Sequence, residues 1–231
     1  MLTKNQLKRI LSLSKKKFRT SEHLFVAEGV KVVKEFLDSD YELKEIFSTD
    51  LNYAQYTDNF FHITENELVK ISSLTTPNKV VATFQIPRSN SIDYNNLVLA
   101  LDDLNNPGNL GTIIRLCDWF GIRDLVCSLS TVDCYNPKVI QAAMGSHARV
   151  NITYSDLNLI LSQAKNTVGT FINGRSVYEE SLPSSGVLVL GNEANGISEN
   201  IASSLKTKLT IPRFGPFKQA ESLNVANAAS I

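Results

Sequence analysis

The chain has 231 residues, 43% of them hydrophobic, and its 23 basic side chains are balanced by 23 acidic ones. It can therefore bury one large or two modest cores, and it lacks the net charge that draws a protein non-specifically onto nucleic acid. No apolar run approaches the roughly 18 residues of a membrane span, the N-terminal MLTKNQLKRILSLSKKK contains no apolar signal core, and Cys117, Cys127 and Cys134 form no CxxC pair, so a cytosolic protein with reduced thiols and no metal site is expected.

The zero balance hides a local asymmetry. Lys4, Lys8, Arg9, Lys15, Lys16, Lys17 and Arg19 fall within residues 1–20 with no acid among them, and they form either a phosphate-binding patch or a solvated helix face. The same stretch carries Leu7, Ile10, Leu11 and Ser14 on one stripe, the 3.6-residue period of an amphipathic helix. A short strand over 24–27 follows, then a helix from Gly29 with Val30, Val33, Phe36 and Leu37 inward, and strands over 43–49 and 60–64. Thr64 precedes ENELVKISSL with Glu67 at the third helical position, the signature of a capping box. A strand over 79–87 closes the unit. This alternation predicts a small α/β domain over residues 1–90.

RSNSIDYNN (88–96) reads as a linker. Beyond it come a strand over 97–103, a helix from Thr112, a strand over 124–129, a helix over 136–146, a strand over 149–155 and a helix over 156–166. Strands over 167–173 and 186–192, a helix from Ser198, a strand over 208–212 and a helix over 220–230 complete the chain. The strands are apolar with little alternation, as in a parallel sheet covered on both faces. Residues 96–231 are thus expected to form a doubly wound, mostly parallel sheet, whose ligands gather beyond the C-terminal ends of its strands.

Three strand-to-helix turns would lie at that edge: NNPGNLG (105–111), GNEANG (191–196) and IPRFGPFKQAESLN (211–224). Glycine admits positive φ and close backbone approach, and asparagine offers both a donor and an acceptor. Each turn alone is ordinary turn chemistry. The three together bring Arg115, Glu193, Ser222 and Asn224 to one crevice if their strands are neighbours.

In NNPGNLGTIIR (105–115), LVLGNEANGIS (188–198) and IPRFGPFKQAESLNVANAA (211–229), in that order, the sequence resembles the SpoU-type branch of the SPOUT RNA methyltransferases. The N-terminal unit resembles the small ribosomal-protein-like RNA-binding domain of members that modify ribosomal RNA. The resemblance implies an α/β fold with a C-terminal trefoil knot, a homodimer and S-adenosylmethionine as cofactor. It implies that Asn109, Arg115, Glu193, Ser222 and Asn224 form the catalytic site. Gly191, Asn192, Gly196, Ile211 and Leu223 would hold the cofactor, Gly191, Ile211 and Leu223 largely through backbone. Arg115 would bind the phosphate beside the target ribose and stabilise the developing alkoxide, while Arg213 and Lys218 are candidates for phosphate contact.

The implied activity is methylation of a ribose 2′-hydroxyl in RNA, with ribosomal RNA preferred to transfer RNA. A non-catalytic RNA-binding module is the alternative, and a nucleotide-dependent dehydrogenase is disfavoured because no GxGxxG with a following acid occurs after a strand. His147 is read as structural, and Trp119 and Phe120 as core or interface.

Overall fold

The computed structural model describes residues 2–215 and 222–231. The chain divides into two compact units, Met1–Arg88 with Asp133–Ala148, and Ser89–Val132 with Arg149–Ile231.

In the first unit, helix α1 (Lys4–Ser12) opens with Thr3, whose hydroxyl accepts the Gln6 amide while the Gln6 side chain accepts the Thr3 amide. Ile10 and, just past the helix, Leu13 point into the core, whereas Leu11 is 47% exposed, so the buried stripe is rotated from the expected one. A second helix that periodicity did not reveal, α2 (Lys16–Glu22), ends at His23 in the left-handed region. Strand β1 (Leu24–Glu28), helix α3 (Val30–Leu37), strands β2 (Leu43–Ser48) and β3 (Phe60–His62), helix α4 (Glu65–Ile71) and strand β4 (Val80–Gln85) follow. The Thr64–Glu67 capping box is present at the start of α4. The sheet order is β1-β4-β2-β3, antiparallel except for the parallel β2–β3 pair.

Side chains alternate across a strand, and here both faces are covered. Phe25 and Ala27 of β1 enter one core with Val33, Phe36 and Phe84, while Leu24 and Val26 enter another with Ile10, Leu13, Phe47 and Leu68. This explains why every residue of β1 is buried.

The second unit begins with strand β5 (Leu97–Leu101), helix α5 (Pro107–Phe120) and strand β6 (Asp124–Cys127). Residues 88–96 are more than a linker: Ile92 and Tyr94 pack on this unit's core, and the Asn90 and Asp93 amides donate to Asn151 and Asp124. Helix α6 (Pro137–Ala143), expected among the helices covering the second sheet, falls in the first unit. Its segment finds aromatic and ionic partners there. The Tyr135 ring lies 4.7 Å from that of Phe25, Ile140 joins the Phe25 core, and Arg19 pairs with Asp133. His147 is buried in the same place with Nε2 2.9 Å from the Cys134 carbonyl, which supports its structural reading.

The second unit resumes with strand β7 (Asn151–Tyr154), helix α7 (Leu157–Gln163), strands β8 (Thr167–Ser176) and β9 (Gly186–Leu190), helix α8 (Glu199–Ser203), strand β10 (Thr207–Thr210) and helix α9 (Val225–Ala229). The last helix is shorter than expected at its start, where residues 220 and 221 lie outside the described ones. The six strands are all parallel in the order β10-β8-β9-β5-β6-β7. Val98, Ala100, Val187 and Val189 bury one face against α7 and α8. Leu110, Ile113, Ile114 and Cys117 are the buried residues of α5. From β5 the chain builds outward through β6 and β7, then crosses to β8 on the other side of β5 and fills the place between them with β9, so the direction of building reverses between β5 and β9. In open α/β sheets that reversal leaves a crevice beyond the C-terminal strand ends. Among the described residues no helix is long and apolar enough to cross a membrane, and no cluster of His, Cys, Asp and Glu could hold a metal ion.

Candidate active site

The turn after β5 answers why NNPGN is asparagine-rich. Asn106 caps α5, its side-chain oxygen accepting the Gly108 and Asn109 amides at 2.8 and 3.1 Å, and Pro107 takes the first helical position, where a missing N–H costs nothing. That frees Asn109, the third residue of the helix, to face the crevice. At the start of α9, Asn224 plays the same capping part: its oxygen accepts the Ala226 and Asn227 amides. The group left on Asn224 is its Nδ2, which donates to Asn109 Oδ1 at 3.0 Å. Asn109 Nδ2 in turn donates to Glu193 Oε1 at 2.8 Å. The relay has one direction because each amide has one acceptor and one donor end. A helix start fixes the first asparagine, the first fixes the second, and the second requires an acceptor at position 193.

The turn carrying Glu193 is closed on itself. Asn192 and Gly196 exchange both backbone hydrogen bonds at 2.9 Å, and the Asn192 side-chain oxygen accepts the Ala194 and Asn195 amides. Its Nδ2 reaches the Asp103 carbonyl at 2.7 Å. Gly196 has φ 69°, and a Cβ on Gly191 would come within 2.2 Å of the Gly196 backbone. These two glycines are therefore demanded by the turn itself. Asn192 and Gly196, proposed from sequence as cofactor residues, have their backbone groups spent in building it.

Asp102 and Asp103, at the end of β5, are supports that sequence reasoning missed. Asp102 is buried and accepts the Ser198 amide at 2.8 Å, so it holds the far end of the 191–198 loop. Asp103 adopts φ 55°, and its carbonyl takes the Asn192 side chain that holds the near end. The available signal was a pair of acids placed directly after the apolar run LVLAL.

Other expected residues stand apart from the relay. Arg115 lies on the exposed side of α5 and makes no ion pair with a described residue. Ser222 is exposed, Leu223 is 53% exposed and Lys218 lies outside the described residues. Trp119 and Phe120, one turn beyond Arg115, are 82% and 57% exposed, so they do not belong to this chain's core.

The amides of Gly191, Ile211 and Leu223 make no hydrogen bond to a described residue. Backbone groups left unpaired at loops seek water or a ligand, and here they are three of the positions assigned to the cofactor. Ile211 also lines an apolar cavity of about 180 Å³ with Thr170, Val177, Leu190, Leu209 and Ala228. That cavity runs along the strands and shares only Ile211 with the predicted site. The residues present thus fit a ligand held by main-chain amides at the strand ends and an apolar wall beside them.

Comparison with known proteins agrees with this geometry. Residues 96–231 match the SpoU rRNA Methylase family and residues 4–82 match the MRM3-like substrate binding domain. The chain is 32% identical to the 23S rRNA (guanosine(2553)-2′-O)-methyltransferase RlmP of Bacillus subtilis strain 168, over 95% of this chain and 90% of that one. A TrmH-family protein from Porphyromonas gingivalis superposes with TM-score 0.90 at 36% identity, covering 100% of this chain and 96% of that one. The AdoMet-bound rRNA methyltransferase from Sinorhizobium meliloti superposes with TM-score 0.87 at 28% identity, covering 100% and 93%. With both the sequence match and the fold in place, the chain belongs to the SpoU rRNA Methylase family.

Proposed function

We propose that this chain transfers a methyl group from S-adenosylmethionine to a ribose 2′-hydroxyl of RNA, and that the RNA is ribosomal. The observation that carries the reading is the directed relay Asn224–Asn109–Glu193 at the switch point of the parallel sheet. Ribosomal RNA is favoured over transfer RNA by the match of residues 4–82 to a substrate binding domain and by the activity named for the Bacillus relative. Cytoplasmic ribosomes or their precursors are the natural place for such a substrate.

When bound, S-adenosylmethionine supplies a methyl group on a positively charged sulfur. Gly191, Ile211 and Leu223, whose amides bond no described residue, would hold it through the backbone. An in-line displacement depends on alignment, which can contribute as much as about 7–11 kcal/mol. Glu193 and Asn109, fixed by the relay, orient the ribose, and Ser222 orders the start of the last turn. Arg115, unpaired among the described residues, binds the neighbouring phosphate and stabilises charge developing on the ribose oxygen. The α/β knot after β10 and a homodimer belong to the same proposal. The dimer is supported by the exposed rings of Trp119 and Phe120 on α5.

The test supplies radiolabelled methyl donor with in vitro transcribed ribosomal RNA or with transfer RNA, followed by alkaline digestion. A 2′-O-methyl group blocks cleavage at its own linkage, so label should appear in an alkali-resistant dinucleotide from ribosomal RNA. Label in transfer RNA alone would reverse the substrate assignment, and no label in either would remove the activity.

A further inference from the structure

The sheet edge that carries the relay also carries a pair of exposed aromatic rings. Strand β10 ends beside β8, with Thr210 in register with Ser176 and the Val177 amide donating to the Thr210 carbonyl at 3.0 Å. The chain beyond each strand then presents one aromatic ring. Tyr178 is 61% exposed and Phe214 is 82% exposed, and their ring centroids are 6.2 Å apart at an interplanar angle of 44°. Phe214 has no polar atom to gain from solvent, so the ring is held in water at a cost that burial against a partner would recover.

The surroundings favour one kind of partner. Arg213 precedes Phe214 and is exposed, and Arg175 is 72% exposed, its contact to Glu180 a long 3.4 Å. Lys208 lies 4.8 Å over the Phe171 ring. Two adjoining rings with the exposed guanidinium groups of Arg213 and Arg175 in the same two chain segments suit a flat base and its phosphate. All six strands are parallel, so this pair lies on the same edge of the sheet as Asn109 and Glu193.

We propose that Tyr178 and Phe214 form a stacking platform for an unpaired base of the substrate RNA, flanking the nucleotide whose ribose is methylated. This rests on the function proposed above and adds a specificity surface to it. Unpaired bases can be splayed onto aromatic side chains in this way, whereas a paired A-form helix offers no free face.

The test uses the full chain with Tyr178→Ala, Phe214→Ala and Phe214→Trp. Affinity for a fluorescein-labelled single-stranded 12-nucleotide RNA is measured by anisotropy, and methyl transfer to transcribed ribosomal RNA by label. S-adenosylmethionine affinity and sedimentation serve as controls. Each alanine variant should weaken oligonucleotide binding about tenfold and raise KM for the RNA. Cofactor affinity and sedimentation should stay as in wild type, and Phe214→Trp should restore binding. Unchanged oligonucleotide affinity in both alanine variants would overturn the platform. So would a change in sedimentation with RNA affinity unchanged, which would assign the rings to a second copy of the chain. If wild type methylates no RNA, the proposed function fails, while the oligonucleotide arm still judges the platform.

Discussion

In the first unit the Phe25 ring lies within 5.8 Å of those of Phe36, Tyr41, Phe84 and Tyr135, whereas the second unit fills its sheet with Val98, Ala100, Val126, Val187 and Val189. The polar residues differ in the same way. In the first unit they close the structure: Glu28 accepts from Ser72 and Ser73, buried Arg19 pairs with Asp133, and His147 binds the Cys134 carbonyl. Its unspent charge is on the outside, at exposed Lys15, Lys16 and Lys17. In the second unit a simple aliphatic core leaves polar residues at the strand ends, where Asn224, Asn109 and Glu193 bond to one another and Arg115 makes no ion pair with a described residue. Chemistry is to be sought where hydrogen-bonding capacity has not been consumed by folding.

That contrast can be broken by experiment. Arg115→Ala should reduce methyl transfer by about a thousandfold, the loss typical of one charge-stabilising donor, with cofactor affinity and thermal stability unchanged. A large fall in stability instead would show that Arg115 is spent on folding after all. Phe36→Ala, in the ring cluster, should do the opposite and cost about 3–5 kcal/mol in urea unfolding. A cost below about 1 kcal/mol, the range of ordinary surface changes, would mean that the cluster is not the structural centre of its unit.

Burial lowers the His147 imidazole from its ordinary 6.5 to about 4, so the folded state holds it neutral. Its contribution is fully present above pH 6.5, declines as pH falls from there towards 4, and is exhausted below. The difference between wild type and His147→Gln should therefore change by roughly 3 kcal/mol across that window. Parallel stability curves for the two proteins would refute the assignment. The smallest effect is expected on the exposed lysines. Replacing Lys15, Lys16 and Lys17 by glutamate should weaken RNA binding about tenfold at low salt and flatten its salt dependence, leaving cofactor affinity as it was. An unchanged salt slope would show these lysines to be merely solvated.

The elements that sequence revealed are those with local causes. Thr64 and Glu67 announce α4 because both halves of a capping box lie three residues apart. The continuous apolar runs at 97–101 and 186–190 announce parallel strands because both faces are covered. The turn asparagines and glycines were legible as a group, but not their division of labour: Asn106 and Asn192 are spent on backbone amides, while Asn109 is left to reach Glu193. Nothing local distinguishes these cases, since which amide is orphaned depends on where each helix begins. Asp102 escaped notice because its partner, the Ser198 amide, lies 96 residues away. The helix α6 was found in sequence, but its unit was not, because Tyr135 and Ile140 suit either core in composition and only the packed structure shows that Phe25 receives them.

The excursion of residues 133–148 has a consequence for biosynthesis. Neither unit is one uninterrupted length of chain: the first needs a segment that emerges after β5, α5 and β6 of the second have already been made. Domains generally fold as units during synthesis at about 5–20 residues per second. The ring cluster around Phe25 therefore waits several seconds on the ribosome, its apolar face open, until Tyr135 and Ile140 arrive. A fragment cut at residue 88 would carry that open face permanently, and the shortest piece holding the complete first unit ends at Ala148.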